Sequence, residues 1–251
     1  MTKLAIVTTV YNDYALLPSL LKCMLAQTSN NFVHYIYDDG SENIDKALIQ
    51  SYIEKASLLP KPFKVCFMEG ECNLGCQKAH EYMFRYIDEA YFTWVDSDDC
   101  VNKNFVKIIE GYIYRYPNTD VFHLNSFVYF DKDFKVRKKH STGSRWYYPR
   151  SYLTNPDQIM AYCFGWDSNF MHNFVVNKKS LEDVNPSLTI FDTNKEGYHT
   201  TWYDAQIMFE LSLAGKSFRF IKEPISYIYI LESHLLAETQ KQIGCQWKNK
   251  S

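Results

Sequence analysis

The chain has 251 residues and a nearly even charge balance, with 27 Lys and Arg against 29 Asp and Glu. This length allows one large domain with a substantial core, and the balance lacks the basic excess that favours nucleic-acid binding. No apolar run approaches the roughly 20 residues of a membrane helix, and seven scattered cysteines predict a reducing, cytoplasmic compartment.

The first hundred residues predict strands that alternate with helices. The runs of β-branched and aromatic residues predict strands at 4–10, 32–37, 63–68 and 91–95, and the helical apolar spacing predicts helices at 14–27, 42–57 and 75–90. Asn12 or Asp13 is the candidate N-cap of the first helix. Strands joined by helices of this length predict a mostly parallel sheet that is covered on both faces.

Beyond residue 100 the spacing of the elements becomes less regular. The predicted elements are a helix at 102–115, a longer strand or hairpin arm at 119–130, an exposed loop or hairpin at 131–150, a strand at 169–179, a helix at 200–214 and two short strands around Pro224 within 217–230. We therefore expect two lobes of one globule, residues 1–100 and 101–230, followed by a helix or tail over 231–251.

Polar residues collect where the predicted parallel strands end. The clusters follow the first, second and fourth strands and precede the third helix, as Thr8–Asp13, Asp38–Ser41, Asp96–Asp99 and Glu71–Gly75. Ligands of open α/β sheets bind outside the carboxyl ends of the strands. This edge of the sheet is therefore the expected binding site.

The segment after the fourth strand places three carboxylates, those of Asp96, Asp98 and Asp99, within four positions. Like charges about 5 Å apart repel by roughly 3 kcal/mol at an effective dielectric constant near 20. Carboxylate oxygens suit Mg²⁺ or Mn²⁺, and a bridging diphosphate would complete the metal shell. The alternative is that these acids cap the helix that follows.

Several motifs appear in an order and spacing that resemble the inverting glycosyltransferases of family two. They are Tyr11-Asn12 after the first strand, Ala26-Gln27-Thr28, Tyr37-Asp38-Asp39-Gly40-Ser41, Asn73-Leu74-Gly75 followed by Ala79, Val95-Asp96-Ser97-Asp98-Asp99, and Tyr203-Asp204 with Gly215. The resemblance covers about residues 3–230. It implies an α/β GT-A fold, in which a single Rossmann-like nucleotide-binding lobe with a mostly parallel central sheet merges with a smaller acceptor-binding lobe.

The resemblance also implies residues that bind a UDP-sugar donor. The expected donor contacts are Thr9, Tyr11, Asp38, Asp39, Asn73, Gly75, Asp96, Ser97 and Asp99. Asp39, with Asp38, would accept from the uracil N3–H, and Asp96 would hold the ribose. Asp98 would bind Mn²⁺ or Mg²⁺ between the donor phosphates. His234 is the expected further metal ligand, although it is displaced by about one residue from the usual position.

Asp204 is the expected general base, because an inverting transfer needs one carboxylate to take the proton of the acceptor hydroxyl. Tyr203 stands where the family usually has Glu, and an alternative for Asp204 is a helix-capping role. Asp167 or Asp192 would be the next candidates for the base. The residues expected to contact the acceptor are Trp166, Asp167, Trp202 and Tyr203.

The basic stretch 135–150 is either a solvated hairpin or a contact for an anionic acceptor or membrane surface. The resulting expectation is a cytoplasmic, peripherally membrane-associated hexosyltransferase that acts on a saccharide or lipid-linked glycan in surface polysaccharide or lipooligosaccharide synthesis. Two alternatives are a nucleotidyltransferase and a catalytically silent carbohydrate-binding relative. The first would need an early Gly-rich loop with Arg or Lys, and residues 8–13 contain none of these types. A zinc site at Cys72, Cys76 and His80 is disfavoured because no second paired cluster completes it.

Overall fold

The computed structural model describes residues 3–131, 139–141, 174–188 and 203–231, and in 125–131, 139–141, 203–205 and 224–231 it describes the backbone alone. The strands in these ranges are β1 Leu4–Val10, β2 Phe32–Asp38, β3 Lys64–Glu69, β4 Tyr91–Trp94, β5 Cys100–Val101, β6 Val121–Asp131, β7 Lys139–Ser141, β8 Phe174–Asn177 and β9 Phe218–Leu231. The helices are α1 Leu17–Leu25, α2 Lys46–Leu58, α3 Cys76–Phe84, α4 Phe105–Arg115, α5 Lys178–Glu182 and α6 Tyr203–Leu213.

All the described strands belong to one sheet, in the order β3-β2-β1-β4-β8-β6-β9-β5, with β7 beside β6. Strands β1 to β4 are mutually parallel, β8 is antiparallel to β4 and β6, and β9 is parallel to β6. The predicted α/β architecture with a mostly parallel central sheet is therefore confirmed. The sheet runs without a break from the strands of the first hundred residues into those that follow.

The side chains of β1 alternate between two apolar cores on opposite faces of the sheet. Leu4, Ile6 and Val10 pack with α1, α2 and α4. Ala5 and Val7 pack on the other face with α3, α5 and α6. Both faces of the central strands are thus covered, which explains why β1 and β2 are almost continuously buried.

A chain of buried polar side chains crosses the first of these cores. The Thr8 hydroxyl donates to the Val95 carbonyl (2.8 Å), so its oxygen accepts from Nε2 of His34 (3.2 Å). Nδ1 of His34 then accepts from the Tyr52 hydroxyl (2.7 Å). Burial lowers the pKa of His34 to about 3, which keeps the ring neutral. This chain connects α2 to the end of β4, directly before the acidic segment.

Asp120 fixes the opposite, amino edge of the sheet. Its carboxylate accepts from the Ser180 hydroxyl, and from the backbone N–H and the hydroxyl of Ser217 (2.7 Å each). Burial raises the pKa of Asp120, but these hydrogen bonds outweigh it and lower the pKa below its usual value. The contacts join the starts of β6 and β9 to α5.

The structure corrects the predicted start of α1. The N-cap position is Leu16, whereas Asn12 and Asp13 belong to the preceding loop. Asn12 has a positive φ of 56°, and the Asp13 carbonyl accepts from the N–H groups of Leu16 and Leu17. The predicted cap was therefore wrong, because these residues serve a turn at the end of β1.

Two predictions for the second half were also wrong in detail. The segment predicted as two short strands forms one strand, β9 Phe218–Leu231, because register shifts in its pairing with β6 accommodate Pro224 opposite Asn125. The predicted strand at 169–179 ends at Asn177 in the structure, whose side chain caps α5 by accepting from the Ser180 N–H (3.1 Å).

Other predicted segments fall partly outside the described residues. Within the stretch 131–150, β7 pairs antiparallel with β6, as expected for a hairpin, and the remainder of that stretch lies outside the description, as does 232–251. Among the described residues, no helix combines the length and apolar character needed to cross a membrane.

Candidate active site

The sheet has a topological switch point between β1 and β4. The chain proceeds from β1 outward to β2 and β3 and then returns to the other side of β1 to form β4. Connections that leave β1 in opposite directions open a crevice at the carboxyl ends of the two strands. The polar clusters that follow β1, β2 and β4 meet at this crevice, as the sequence predicted.

Asp39 joins the end of β2 to the turn before α3. Its two carboxylate oxygens accept from the N–H groups of Leu74 (3.0 Å) and Gly75 (2.9 Å). The side chain is only 3% exposed, and burial raises the pKa of Asp39 despite these two bonds, with a smaller contribution from the charge of Asp38. The carboxylate thus fixes the turn at the rim of the crevice and retains lone pairs for a further donor.

Gly40 allows the loop after β2 to approach the turn before α3 closely. A Cβ at Gly40 would lie 2.4 Å from the Cys72 carbonyl carbon and 2.6 Å from the Asn73 nitrogen, and φ at Gly40 is +74°. Only glycine satisfies both conditions without strain. The Asp-Asp-Gly-Ser motif is therefore explained locally as a tight contact between two loops.

Asp38 has a different environment from Asp39. It is fully buried, and its oxygens accept from the Tyr14 hydroxyl (2.7 Å) and the Ser41 N–H (2.8 Å). These contacts hold the loop after β2, so a ligand could reach the Asp38 carboxylate only if the loop moved. The expected contact of Asp38 with the uracil base of the donor stays a prediction.

The loop after β1 is tied to the loop after β2. The Asn12 N–H donates to the Ser41 hydroxyl (2.9 Å), and the Asn12 side chain accepts from the Glu42 N–H (3.0 Å). Tyr11 is left 46% exposed at this rim. An exposed ring held by a fixed backbone is suited to stacking on a nucleotide base.

The acidic segment forms a turn in which the three carboxylates differ in exposure. The Asp99 N–H donates to the Asp96 carbonyl (3.1 Å), and β5 then pairs with β9. Asp99 is buried, whereas Asp96 and Asp98 are partly exposed. Ser97 is also buried, and its hydroxyl donates to the Asp13 carboxylate (3.4 Å).

The structure separates this segment from the helix that follows it. Helix α4 begins at Phe105, with Asn104 at the N-cap position after β5. The three acids therefore lie outside the capping positions of α4, which rules out helix capping as their explanation.

The donor chemistry at this turn fits a divalent cation that arrives with a substrate. Carboxylate oxygens are the ligands that Mg²⁺ and Mn²⁺ prefer. Within the described ranges, no three His, Cys, Asp or Glu side chains are grouped closely enough to hold a metal ion by themselves. Oxygens of a bound diphosphate would therefore have to complete the shell around Asp98.

Helix α6 brings its amino end to the same edge of the sheet. Strand β9 runs in the direction of β1 and starts at the amino edge, where Phe218 is level with Val121. Helix α6 ends just before β9, where Gly215 has a φ of 69°. Its eleven residues span about 16 Å, roughly the length of five strand residues. The backbone of Asp204, its second residue, therefore lies at the carboxyl edge.

The remaining predicted residues are placed only in part. Asn73 lies on the turn before α3, where its side chain accepts from the Gly75 N–H (2.7 Å). Tyr203 is the first residue of α6, and its side chain, like that of Asp204, is outside the description. Trp166, Asp167, Trp202 and His234 lie outside the described residues.

Sequence reasoning did not assign two residues that shape the crevice. Tyr14 holds Asp38, and His80 lies under Thr9, with its Nε2 3.4 Å from the Thr9 hydroxyl. The sequence predicted Tyr14 to lie in the first helix, and it indicated His80 only as a ligand of a disfavoured zinc site. The helical spacing of Ala79 and Met83 does place the neighbouring His80 near a buried face, but nothing in the sequence indicates the hydroxyl that it meets.

The comparisons with known proteins agree with this geometry. The family model described as "Glycosyl transferase family 2" matches residues 5–184, more than two-thirds of the chain. Two curated relatives, each named an uncharacterized glycosyltransferase, come from Rickettsia typhi and Rickettsia prowazekii and are 26% and 25% identical over 154 residues. The match covers 61% of this chain and 41% of each relative, so the chain spans about two-fifths of their length.

Solved structures of S. aureus TarS are similar in fold. TarS 1–349 in complex with UDP-GlcNAc superposes with a TM-score of 0.67 at 16% identity, covering 91% of this chain and 58% of that one. A second TarS crystal structure gives a TM-score of 0.64 at 15% identity, covering 91% and 37%. Because the family match includes both the Asp39 turn and the acidic segment, and the fold agrees over nine-tenths of the chain, this protein belongs to glycosyltransferase family 2 and has the GT-A fold.

Proposed function

We propose that the protein is an inverting, metal-dependent hexosyltransferase that transfers a sugar from a UDP-sugar to a hydroxyl of a saccharide or lipid-linked glycan. The observation that carries this proposal is the meeting of three features at one edge of the sheet. These are the Asp39 turn, the partly exposed Asp98 and the amino end of α6. Family membership and the likeness to TarS, which was crystallised with UDP-GlcNAc, support the choice of donor.

The nucleoside would occupy the rim near Tyr11 and Asp39. The Tyr11 ring is exposed enough to stack on a base. The Asp39 carboxylate keeps lone pairs beside its two backbone bonds, so it would accept an imide N–H once the rim opens around this buried residue. Uracil has such an N–H at N3. Only the ionised Asp39 carboxylate accepts the uracil N–H well. Because the pKa of Asp39 is raised, we expect the affinity for UDP to increase with pH across the acid range.

The diphosphate would lie over the acidic segment. Asp98 would hold Mn²⁺ or Mg²⁺ against the diphosphate, with Asp96 towards the ribose. The cation supplies Lewis-acid stabilisation of the negative charge on the departing UDP.

The acceptor would approach from the side of α6. Asp204 would take the proton of the acceptor hydroxyl as its oxygen forms a bond to the anomeric carbon. The bond between that carbon and the β-phosphate oxygen breaks on the opposite side, and its electron pair leaves with UDP. Attack opposite to the leaving group inverts the anomeric configuration.

The acceptor class is supported by charge. Residues 135–150 contain Lys135, Arg137, Lys138, Lys139, His140, Arg145 and Arg150. A cluster of this sign suits an anionic glycan or a lipid-linked acceptor at the cytoplasmic face of a membrane. This arrangement would suit an enzyme of surface polysaccharide synthesis.

The direct test is donor turnover by the purified protein. The assay would measure UDP release from UDP-glucose, UDP-galactose and UDP-GlcNAc with Mn²⁺, with and without a panel of saccharide acceptors. We expect release from at least one donor, stimulation by an acceptor, and a product of inverted configuration by NMR. Absence of any donor turnover together with absence of UDP binding would contradict the proposal, and retained configuration would contradict the assignment of an inverting base.

A further inference from the structure

Trp94 is a buried side chain at the carboxyl end of β4 with an unsatisfied hydrogen-bond donor. The residue is 7% exposed, and its indole Nε1 is buried with no hydrogen-bond partner among the described residues. It is the last residue of β4 and stands two positions before Asp96. Buried donors are nearly always paired in folded proteins, and Trp N–H groups in particular find an acceptor when they are buried.

The surroundings of Trp94 connect it to the rim of the crevice. Its ring packs edge-on against Phe92 at 4.7 Å and tilted against His80 at 5.1 Å. His80 in turn contacts the hydroxyl of Thr9, which is partly exposed at the end of β1. Trp94 pairs with Val7 in the sheet, so Thr9 is the next residue of β1 on the same face. Thr9 and His80 therefore connect the carboxyl end of β1 to the ring of Trp94.

Trp94 also lies on the sheet face that carries both α3 and α6. His80 belongs to α3, and Ile207 and Met208 of α6 share the apolar cluster that contains Trp94. Ile207 is one turn beyond Asp204 on α6. The indole therefore packs in the apolar core that α3, which follows the Asp39 turn, shares with α6, which carries the proposed base.

We propose that the indole N–H of Trp94 donates a hydrogen bond to an oxygen of the transferred sugar and so contributes to donor-sugar specificity. The inference rests on the proposed function, which places the nucleoside at Asp39, the diphosphate at Asp98 and the base at Asp204. The sugar must lie between the diphosphate and the base, and Trp94 stands two residues before Asp96 on the sheet face that carries α6. Because its Nε1 is buried, contact with the sugar requires the side chains that cover it to move aside. A sugar hydroxyl or an N-acetyl carbonyl supplies the acceptor that the described residues lack.

An NMR titration tests this hydrogen bond without any change to the protein. The protein labelled with ¹⁵N at its indole nitrogens would be titrated with UDP, UDP-glucose and UDP-GlcNAc in the presence of Mg²⁺, and Trp94→Phe would assign the Trp94 resonance. We expect the Trp94 N–H resonance to shift downfield with at least one intact donor and to move little with UDP. A resonance that stays in place while calorimetry shows the donors to be bound overturns the inference.

A second test removes the N–H and keeps the shape of the ring. Replacing Trp94 alone with β-(3-benzothienyl)alanine puts sulfur in place of the indole N–H. We expect the affinity for the preferred UDP-sugar to fall about fivefold, the contribution of one hydrogen bond, while the affinity for UDP stays constant. Equal affinity of the variant and the wild type for every UDP-sugar that binds would contradict the specificity role.

The two tests separate this inference from the proposed function. If UDP and its sugars bind but Trp94 responds to none of them, the inference fails and the proposed function stands. If neither UDP nor any UDP-sugar binds in calorimetry, the proposed function fails and the inference fails with it.

Discussion

Gly40 and Gly75 show how single residues set the shape of the nucleotide rim. Both have a positive φ, +74° at Gly40 and +83° at Gly75, and both border the Asp39 contact. They differ in their surroundings. A Cβ at Gly40 would collide with the backbone of Cys72, whereas a Cβ at Gly75 would meet no described atom within 4 Å. The sequence motifs name both glycines, but only the structure separates their roles.

The first prediction uses these two glycines as a matched pair. Gly75→Ala should destabilise the fold by about 1–3 kcal/mol through backbone strain alone. Gly40→Ala should cost more than Gly75→Ala, since the turn at 72–73 must also move. Urea unfolding of the two variants measures the difference, and equal losses would show that the contact with Cys72 relaxes without cost.

His34 gives a pH-dependent prediction at the same scale. The pKa of His34 is about 3 in the folded protein and about 6.5 in an unfolded chain, so the unfolded state binds more protons between these values. The contribution of His34 to stability is therefore complete above about pH 6.5 and decreases as the pH falls towards 3. Between pH 7 and pH 5 the loss should be about 2 kcal/mol.

Urea unfolding at pH 7 and pH 5 tests this prediction. His34→Gln should start less stable, because it disturbs the contacts with Thr8 and Tyr52, yet it should lose about 2 kcal/mol less than the wild type on acidification. Other titrating groups contribute equally to both proteins. An identical loss in the two proteins would mean that His34 accepts a proton in the folded state.

At the scale of elements, the sequence predicted which segments are helices and strands better than it predicted where they end. The start of α1 moved to Leu17 because Asn12 and Asp13 form a turn, and Pro18, which favours the first turn of a helix, was the signal for that start. The N-cap of α5 has a sequence signal, because Asn177 is a preferred capping residue and stands three positions before Ser180, from whose N–H its side chain accepts. The two-residue strand β5 has no sequence signal, because tertiary pairing with β9 creates it.

Helix α6 carries the prediction for catalysis. Asp204→Asn should leave UDP affinity within about twofold of the wild type and lower kcat by about 10²–10⁴, the usual contribution of a general base. The reason is that the proposed base would contact the acceptor, whereas the proposed nucleoside contacts lie at the Asp39 turn. Calorimetry with UDP and steady-state transfer assays provide the two measurements. Turnover within a few-fold of the wild type would assign the base to another carboxylate.

At the scale of the whole molecule, the topology could be predicted because it follows from general rules. Alternating strands and helices favour parallel strands, and the polar residues after β1, β2 and β4 predicted the carboxyl edge as the site. The antiparallel insertion of β8 between β4 and β6 could not be read from the sequence, since a four-residue strand carries no directional signal. The same limit applies to Trp94, because a missing hydrogen-bond partner is a property of the assembled sheet and helices.

The proposed function depends most on the binding of a nucleoside diphosphate together with a divalent cation at Asp98. The most direct measurement is calorimetric titration of UDP with Mn²⁺ or with EDTA into the wild type, Asp98→Asn and Asp88→Asn. Asp88 is an exposed acid just before β4, at the opposite edge of the sheet, and serves as the matched charge control. We predict that Mn²⁺ tightens UDP binding at least about tenfold, or about 1.4 kcal/mol, in the wild type and in Asp88→Asn, and has little effect in Asp98→Asn. Metal-dependent binding that persists unchanged in Asp98→Asn, or UDP binding that is absent from the wild type, would contradict the account.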